Sequence, residues 1–324
     1  MVVSQTPLRL SFVGGGTDFA SFYGTHKGQV ISATIDKYIY VIVKKRFDDL
    51  IVLHYTENEI VENVADIKHD IIKAALQHVG IQKGIEIITL ADITAKGSGL
   101  GSSSVLTVGL LNALYHFKGM QVSSEQIANE ACIIEIDMLK KPIGKQDQYI
   151  AAYGGIKKIE FNADHSVTVT DLSLSDSDKN KLQASIILHN TSVMRKAESV
   201  LEEQSNNIAH KIEELKTIAG LVNELETAFN NKQFEVLGNL LAINWENKKK
   251  LASAVSNPHI NEMVAVALAN GATGCKIAGA GGGGFLMSYV PVQNQEKFRT
   301  AMSAYKELSY TFDPAGSRIL LNVK

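Results

Sequence analysis

Hydrophobic and polar positions along this chain change period several times, and each change marks an element. Leu8–Val13 is a short apolar run that reads as a strand, cut off by Gly14-Gly15-Gly16. Val30–Asp36, Tyr38–Lys45 and Leu50–Tyr55 are rich in β-branched and aromatic residues, alternate in part, and predict three more strands. The period then lengthens. Ile71, Ile72, Ala75, Leu76 and Val79 share one helical face within His69–Val79. A strand at Ile85–Leu90 and an apolar helix at Val105–Phe117 come next. Ser123-Ser124-Glu125-Gln126 has the form of a capping box and starts a helix to about Leu139, ended by Pro142 and Gly144. Lys145–Ala152 is helical up to Gly154-Gly155, and strands are expected at Ile156–Phe161 and Val167–Leu172.

The polar stretch Asp171–Asn180 reads as a loop and sets a domain boundary, giving domains 1–175 and 176–324. Beyond it lie a strand at Ser185–His189 and long amphipathic helices over about Val193–Asn230 and Gln233–Ser256. Pro258 opens another helix, to Ala269, and Phe285–Val290 is an apolar strand. A helix near Asn294–Leu308 and strands near Ser309–Phe312 and Arg318–Val323 close the pattern. Strands and helices mix without regular βα alternation, so the fold class is α+β.

Composition narrows the class. The 324 residues are 45% hydrophobic and 20% charged, the balance of a globular protein with a sizeable core. A net charge of −2 with scattered lysines and arginines leaves no nucleic-acid footprint. The run Lys248-Lys249-Lys250 reads as a solvated helix face. No apolar run approaches the ~18–20 residues that span a bilayer, and the N-terminus lacks the pattern of a signal peptide. Cys132 and Cys275 have no metal-ligand spacing and read as buried and reduced, which makes the cytoplasm the expected compartment. No feature sets an oligomeric state.

Three segments carry candidate chemistry. Lys96-Gly97-Ser98-Gly99-Leu100-Gly101-Ser102-Ser103-Ser104 joins a strand to an apolar helix. Its glycines let the backbone approach a ligand closely, and the helix start aims N–H groups and partial positive charge at it. The serines add hydroxyls for phosphate or metal. The arrangement suits a nucleotide phosphate, although a turn with serine caps would share the composition. Gly279–Gly284 matches G-x-G-x-x-G, but a strand follows it rather than a helix, which argues against a dinucleotide fold; no Walker-A motif is present. These glycines form a wall for close approach of a ligand or another backbone. Arg9 stands alone in an apolar strand, facing solvent or a reacting phosphate. Asp18, after the glycine triplet, suits either a sugar hydroxyl or a helix cap. Glu135, Asp137 and Asp147 flank Lys145, and could hold Mg²⁺ or accept a proton, or be solvated charges at a helix end.

Taken in order, these segments resemble the GHMP kinases, named for galactokinase, homoserine kinase, mevalonate kinase and phosphomevalonate kinase. Thr6–Phe19 is similar to their first motif, Gly97–Ser104 to the second and Gly274–Phe285 to the third, with Ala95 where the second motif usually has proline. The first motif's Gly-Gly-Gly-Thr-Asp form, Gly144–Tyr149 and Asn190–Arg195 with Gln204 resemble the branch that acts on D-glycero-D-manno-heptose 7-phosphate. Ser192 replaces that branch's glycine. The resemblance implies an N-terminal domain like ribosomal protein S5 domain 2, a ferredoxin-like C-terminal domain, and a site between them. It implies ATP held by Lys96–Ser104, Mg²⁺ on Ser103 and Glu135, Asp147 as catalytic base, and Arg9 offsetting charge on the moving phosphoryl group. Sugar binding would fall to Gly15, Gly16, Thr17 and Asp18, with Gly281 and Gly282 as a wall, and a substrate phosphate to Lys145 or Arg195. The implied reaction is ATP-dependent phosphorylation of a small sugar phosphate at C1, for nucleotide-activated heptose synthesis. A kinase for another sugar, such as L-fucose, is the near alternative. A non-catalytic sugar sensor is the distant one, opposed by the intact set Asp147, Glu135 and Ser103.

Overall fold

The computed structural model describes residues 1–93, 97–193 and 197–323. The chain opens with β1 (Val2–Val13), one turn of helix α1 (Ala20–Tyr23), β2 (Gly28–Lys45), β3 (Ile51–His54) and β4 (Asn58–Val61). Then come α2 (Asp70–Val79), β5 (Ile85–Ala91), α3 (Ser102–Phe117), α4 (Ser124–Cys132), α5 (Gln146–Tyr153), β6 (Ile156–Phe161) and β7 (Val167–Asp171). The second half holds α6 (Asp176–Ala184), β8 (Ile186–Asn190), α7 (Ala197–Asn207), α8 (Ile212–Asn230), α9 (Val236–Lys248) and α10 (Pro258–Ala269). It ends with β9 (Gly274–Ile277), β10 (Phe285–Tyr289), α11 (Gln295–Ala301) and β11 (Arg318–Asn322).

The first sheet has the order β11-β1-β2-β5-β3-β4, with β6 and β7 continuing from the start of β2. The two strands expected over Val30–Lys45 are one long strand. Its early residues pair with β6 and its late residues with β5, while β1 runs beside both. The polar break at Asp36-Lys37 is a register shift in the ladder opposite Pro7/Leu8, a bulge rather than a gap. The Asp36 carboxylate, paired with the Lys37 ammonium at 2.8 Å, accepts the N–H of Thr311 there at 2.8 Å. Helix α3 is apolar on nearly every side because it is enclosed: β1 and β2 lie on one flank, α2, α4 and α5 on the other.

The second sheet is antiparallel, β8-β10-β9, and the expected strand at Ser309–Phe312 is reduced to a single bridge between Phe312 and Ile35. Helix α6 forms where a loop was expected. Ser175 caps it by accepting from the N–H of Asp178, and only Asp178 and Leu182 are buried, so no apolar period announces it. The helix expected across Val193–Asn230 is broken by a 3₁₀ turn at Ile208–His210. The expected boundary at 175/176 falls at the start of α6, but the chain does not stay in its second half. β11 returns to the first sheet and pairs antiparallel with Val2–Gln5. The largest apolar cluster is also shared: Leu221, Val222 and Phe229 of α8 pack with Leu10, Phe12 and Val30.

Candidate active site

The glycine-serine loop leads into α3, as expected, but the helix starts at Ser102, so all three serines lie in its first turn. The N–H groups of a first turn have no intrahelical partners. Gly101, just before it, takes φ 83°, and a Cβ there would sit 3.2 Å from both Arg9 Cγ and Asp147 Oδ2. The third-motif loop touches this one: a Cβ on Gly99 would lie 2.4 Å from the Ala278 carbonyl. These two loops form the floor of a cavity of about 570 Å³, and the first motif and α7 close its other side. The volume suits a small ligand.

Arg9 and Asp147 face each other in this cavity. Nε and Nη2 of Arg9 donate to the two carboxylate oxygens at 2.7 Å each, and Nη1 donates to the Gly99 carbonyl at 2.6 Å. Arg9 is almost wholly buried, while Asp147 keeps about a fifth of its side chain open. Breaking such a pair by removing one partner costs on the order of 3–5 kcal/mol when it is buried. Asp18 also lines the cavity, but its carboxylate is already committed to backbone. Oδ1 accepts the N–H of Gly16 at 3.0 Å and Oδ2 that of Gln146 at 3.2 Å. It therefore ties the first-motif turn to the start of α5, one residue before Asp147. Burial raises its pKa above the ordinary carboxylate value, with the Gln146 N–H pulling the other way. The hydroxyl of Ser11 and Oε1 of Gln146 lie in the same lining without a hydrogen-bond partner.

A second group of polar atoms meets beside α3. The Ser103 hydroxyl donates to Glu135 Oε1 at 2.8 Å, and Gln148 Nε2 donates to Oε2 at 2.8 Å. The Lys141 ammonium lies 3.3 Å from Ser103 Oγ and 4.0 Å from Glu135. Glu135 is fully buried, and burial raises its pKa against the pull of Lys141. The helix expected to run to Leu139 changes to π-helical hydrogen bonding over Ile133–Met138, a form often found at functional sites. The Lys141 N–H then returns to the Glu135 carbonyl at 2.9 Å, which carries the lysine beside Ser103. Among the described residues, no three His, Cys, Asp or Glu side chains converge as a metal site.

The GHMP kinase N-terminal family model matches residues 49–155 and the C-terminal model residues 225–307. A D-glycero-alpha-D-manno-heptose 7-phosphate kinase of Campylobacter jejuni is 30% identical, over 96% of this chain and 95% of its own. The chain belongs to the GHMP kinases. An L-fucokinase/L-fucose-1-P guanylyltransferase of Bacteroides fragilis is 28% identical over 88% of this chain and 34% of its own length. The crystal structure of a D-glycero-D-manno-heptose 1-phosphate kinase from B. thetaiotaomicron superposes with TM-score 0.83, covering 100% of both chains at 24% identity, which shows the shared fold. As a GHMP kinase the protein is a phosphotransferase with an alcohol acceptor and ATP as co-substrate.

Within this GHMP kinase site the expected residues divide. Arg9, Gly15, Gly16, Asp18, Gly97, Ser98, Gly99, Gly101, Ser102, Ser103, Ser104 and Asp147 line the cavity. Glu135 stands behind Ser103, while Leu100 is a core residue whose carbonyl accepts the Arg9 N–H. Thr17 does not line the cavity. Its hydroxyl is buried and donates toward the carbonyls of Gly14 and Gln29, so it braces the turn instead. Lys145 is turned out as well, its ammonium donating to the His165 carbonyl at 3.3 Å and lying over the Tyr23 ring. Gly281 and Gly282 pack against Val255, whose carbonyl accepts the Gly282 N–H at 2.6 Å, and are not part of the cavity wall. Lys96 and Arg195 lie outside the described residues.

The sequence reading missed Lys141, Gln204 as a lining group, and above all Lys248. Lys248 is no solvated face: it is 5% exposed and reaches the cavity, where its ammonium donates to the Gly279 carbonyl. The signal lay in helical spacing. Leu237, Leu241 and Asn244-Trp245 are all buried, and Lys248 continues that stripe while Lys249 does not.

Proposed function

We propose that this kinase transfers the γ-phosphoryl group of ATP to the anomeric C1 hydroxyl of D-glycero-D-manno-heptose 7-phosphate. The product is the 1,7-bisphosphate, a step toward nucleotide-activated heptose. The observation that carries this reading is the position of Asp147. Its carboxylate oxygen lies 3.2 Å from where a Cβ of Gly101 would be, at the very start of the phosphate-loop helix. A proton acceptor is thus set against a phosphate cradle, which phosphoryl transfer to an alcohol requires. The acceptor's identity draws support from the full-length likeness to the Campylobacter jejuni enzyme.

In the mechanism, the Asp147 carboxylate uses lone pairs left free by Arg9 to accept the proton of the C1 hydroxyl. That oxygen bonds to the γ-phosphorus as the bond to the ADP oxygen breaks, and ADP leaves. Arg9 holds Asp147 in place and offsets charge on the phosphoryl oxygens, assisted by the N–H groups of the first turn of α3. Gly15, Gly16, Asp18 and Gln204 surround the acceptor half of the cavity. The Ser103 and Glu135 oxygens suit Mg²⁺. They are hard donors already converging 2.8 Å apart, the carboxylate is buried, and phosphate oxygens would complete the shell. Bound there, Mg²⁺ would neutralise phosphate charge. The described helices include none long and apolar enough to cross a membrane, and we place the enzyme in the cytoplasm with its sugar phosphate and ATP.

An acceptor panel tests the reading. ADP release with ATP and Mg²⁺ should give a kcat/KM for D-glycero-D-manno-heptose 7-phosphate at least ~10²-fold above those for L-fucose and D-galactose, since a site built for a polar group discriminates strongly against its absence. A preference for L-fucose would replace the acceptor and leave the chemistry standing.

A further inference from the structure

Two lysines of the second half are buried against the first, and they differ in what they face. Lys276 of β9 is 1% exposed and donates to the carbonyls of Ser11 and Phe12 at 2.9 Å each. It is not part of this cavity's lining and acts as a strut between β9 and β1. Lys248, the last residue of α9, is nearly as buried but opens into the cavity. Its ammonium donates to the carbonyl of Gly279. A Cβ on Gly279 would come 2.5 Å from the Gly99 carbonyl, and that same carbonyl accepts Arg9 Nη1. The two cations are therefore anchored on two backbone segments in contact, both at the floor of the phosphate cradle.

The donors at this wall are not all spent. Arg9 and Lys248 face the carboxylates of Asp147 and Asp18. Asp147 is taken by Arg9 and Asp18 by two backbone N–H groups. An ammonium has three donors, and Gly279 receives one. On the same cavity wall the Ser11 hydroxyl, 3% exposed, has no partner. A cation and an unspent hydroxyl held out of water beside a phosphate loop suit a phosphate oxygen.

We propose that Lys248 binds the terminal phosphoryl group of ATP, leaving the Gly279 carbonyl to grip a γ-phosphate oxygen opposite Arg9. The assignment rests on the kinase reading of this cavity and not on the identity of the sugar. Lys248 then holds the phosphoryl group in both ATP and the transition state, and has no contact to make with ADP. Burial, with Arg9 next in weight, lowers its pKa to about 8, against the opposing pull of Asp18 and Asp147, and Lys276 stands close behind. The grip is therefore strong below that pH and weakens above it as the ammonium loses its charge.

Calorimetric binding of ADP and of the non-hydrolysable analogue AMPPNP, both with Mg²⁺ and without sugar, tests this. Lys248→Met should weaken AMPPNP on the order of tenfold or more, the worth of a hydrogen bond to a charged group, and leave ADP within about twofold. Lys248→Gln gives the same reading should the Met variant fold poorly. Lys248→Arg should keep most of the AMPPNP preference. In wild-type protein that preference should fall as pH rises through about 8, and in Lys248→Arg it should stay level. An equal loss for both nucleotides, or a loss for neither, overturns the assignment and makes Lys248 a strut like Lys276. Wild-type protein that binds neither nucleotide would instead overturn the kinase reading itself.

Discussion

Both carboxylate oxygens of Asp147 lie on one guanidinium, so in the proposed base role its proton-accepting lone pairs are few and fixed in direction. Asp147→Asn replaces one acceptor by a donor that would oppose an Arg9 N–H. AMPPNP affinity should hold within a few-fold while kcat falls about 10³-fold, within the range of general-base removal. Turnover equal to wild type would remove Asp147 from the base role. A second residue-scale prediction concerns Ser192. Ser192 takes φ 56°, the left-handed region, with its N–H held by Asn190 Oδ1 at 2.7 Å. Ser192→Gly removes a strain of about 1–2 kcal/mol and adds roughly 0.5–1 kcal/mol of chain entropy cost, so the urea midpoint should rise slightly. A lower midpoint would contradict this. At this scale the sequence was legible where residue type restricts role: Asp147, Arg9 and the glycines and serines of the loop all reach the cavity. It misled where role depends on direction. Thr17, Lys145 and Lys248 each have a side chain that chemistry alone could send into the site or away from it, and only packing decides.

Among elements, β1 is the one on which the site hangs. It carries Arg9 and Ser11, pairs with β2 along its length, and receives Lys276 from β9 on its carbonyls. Burial lowers the Lys276 pKa well below its ordinary value, first by desolvation and then by the neighbouring Lys248 and Arg9. The unfolded chain therefore binds a proton that the folded chain releases between the two pKa values. In that window, below the ordinary 10.5, wild-type stability should gain up to about 1.4 kcal/mol per pH unit relative to Lys276→Met. Urea melts of both proteins across the alkaline range give the slopes, and parallel curves would refute it. Elements with a strong apolar period, such as α2, or a continuous apolar run, such as α3, were legible in sequence. The bulge in β2, the polar helix α6 and the π-helical stretch around Glu135 were not. Each depends on hydrogen bonds made to distant segments or on a local extra residue, neither of which leaves a periodic trace.

Over the whole molecule, the two halves share one apolar cluster and one returning strand, so the cleft between them is framed rather than hinged on a linker. Calorimetry should give a single unfolding transition. Deleting residues 318–324 removes β11, exposes the edge of β1 and frees Gln5 and Asp313 from Arg318, and should lower that one transition without splitting it. Two separate transitions in the full chain would contradict the shared core. The central claim is that a base, a phosphate cradle and a cavity of sugar size together transfer phosphate to C1. It is tested most directly by incubating the protein with ATP, Mg²⁺ and D-glycero-D-manno-heptose 7-phosphate and following the product by phosphorus NMR. The account predicts one ADP per sugar and a new phosphate resonance coupled to the anomeric proton. No ADP beyond the sugar-free control, or phosphate on any other carbon, would contradict it.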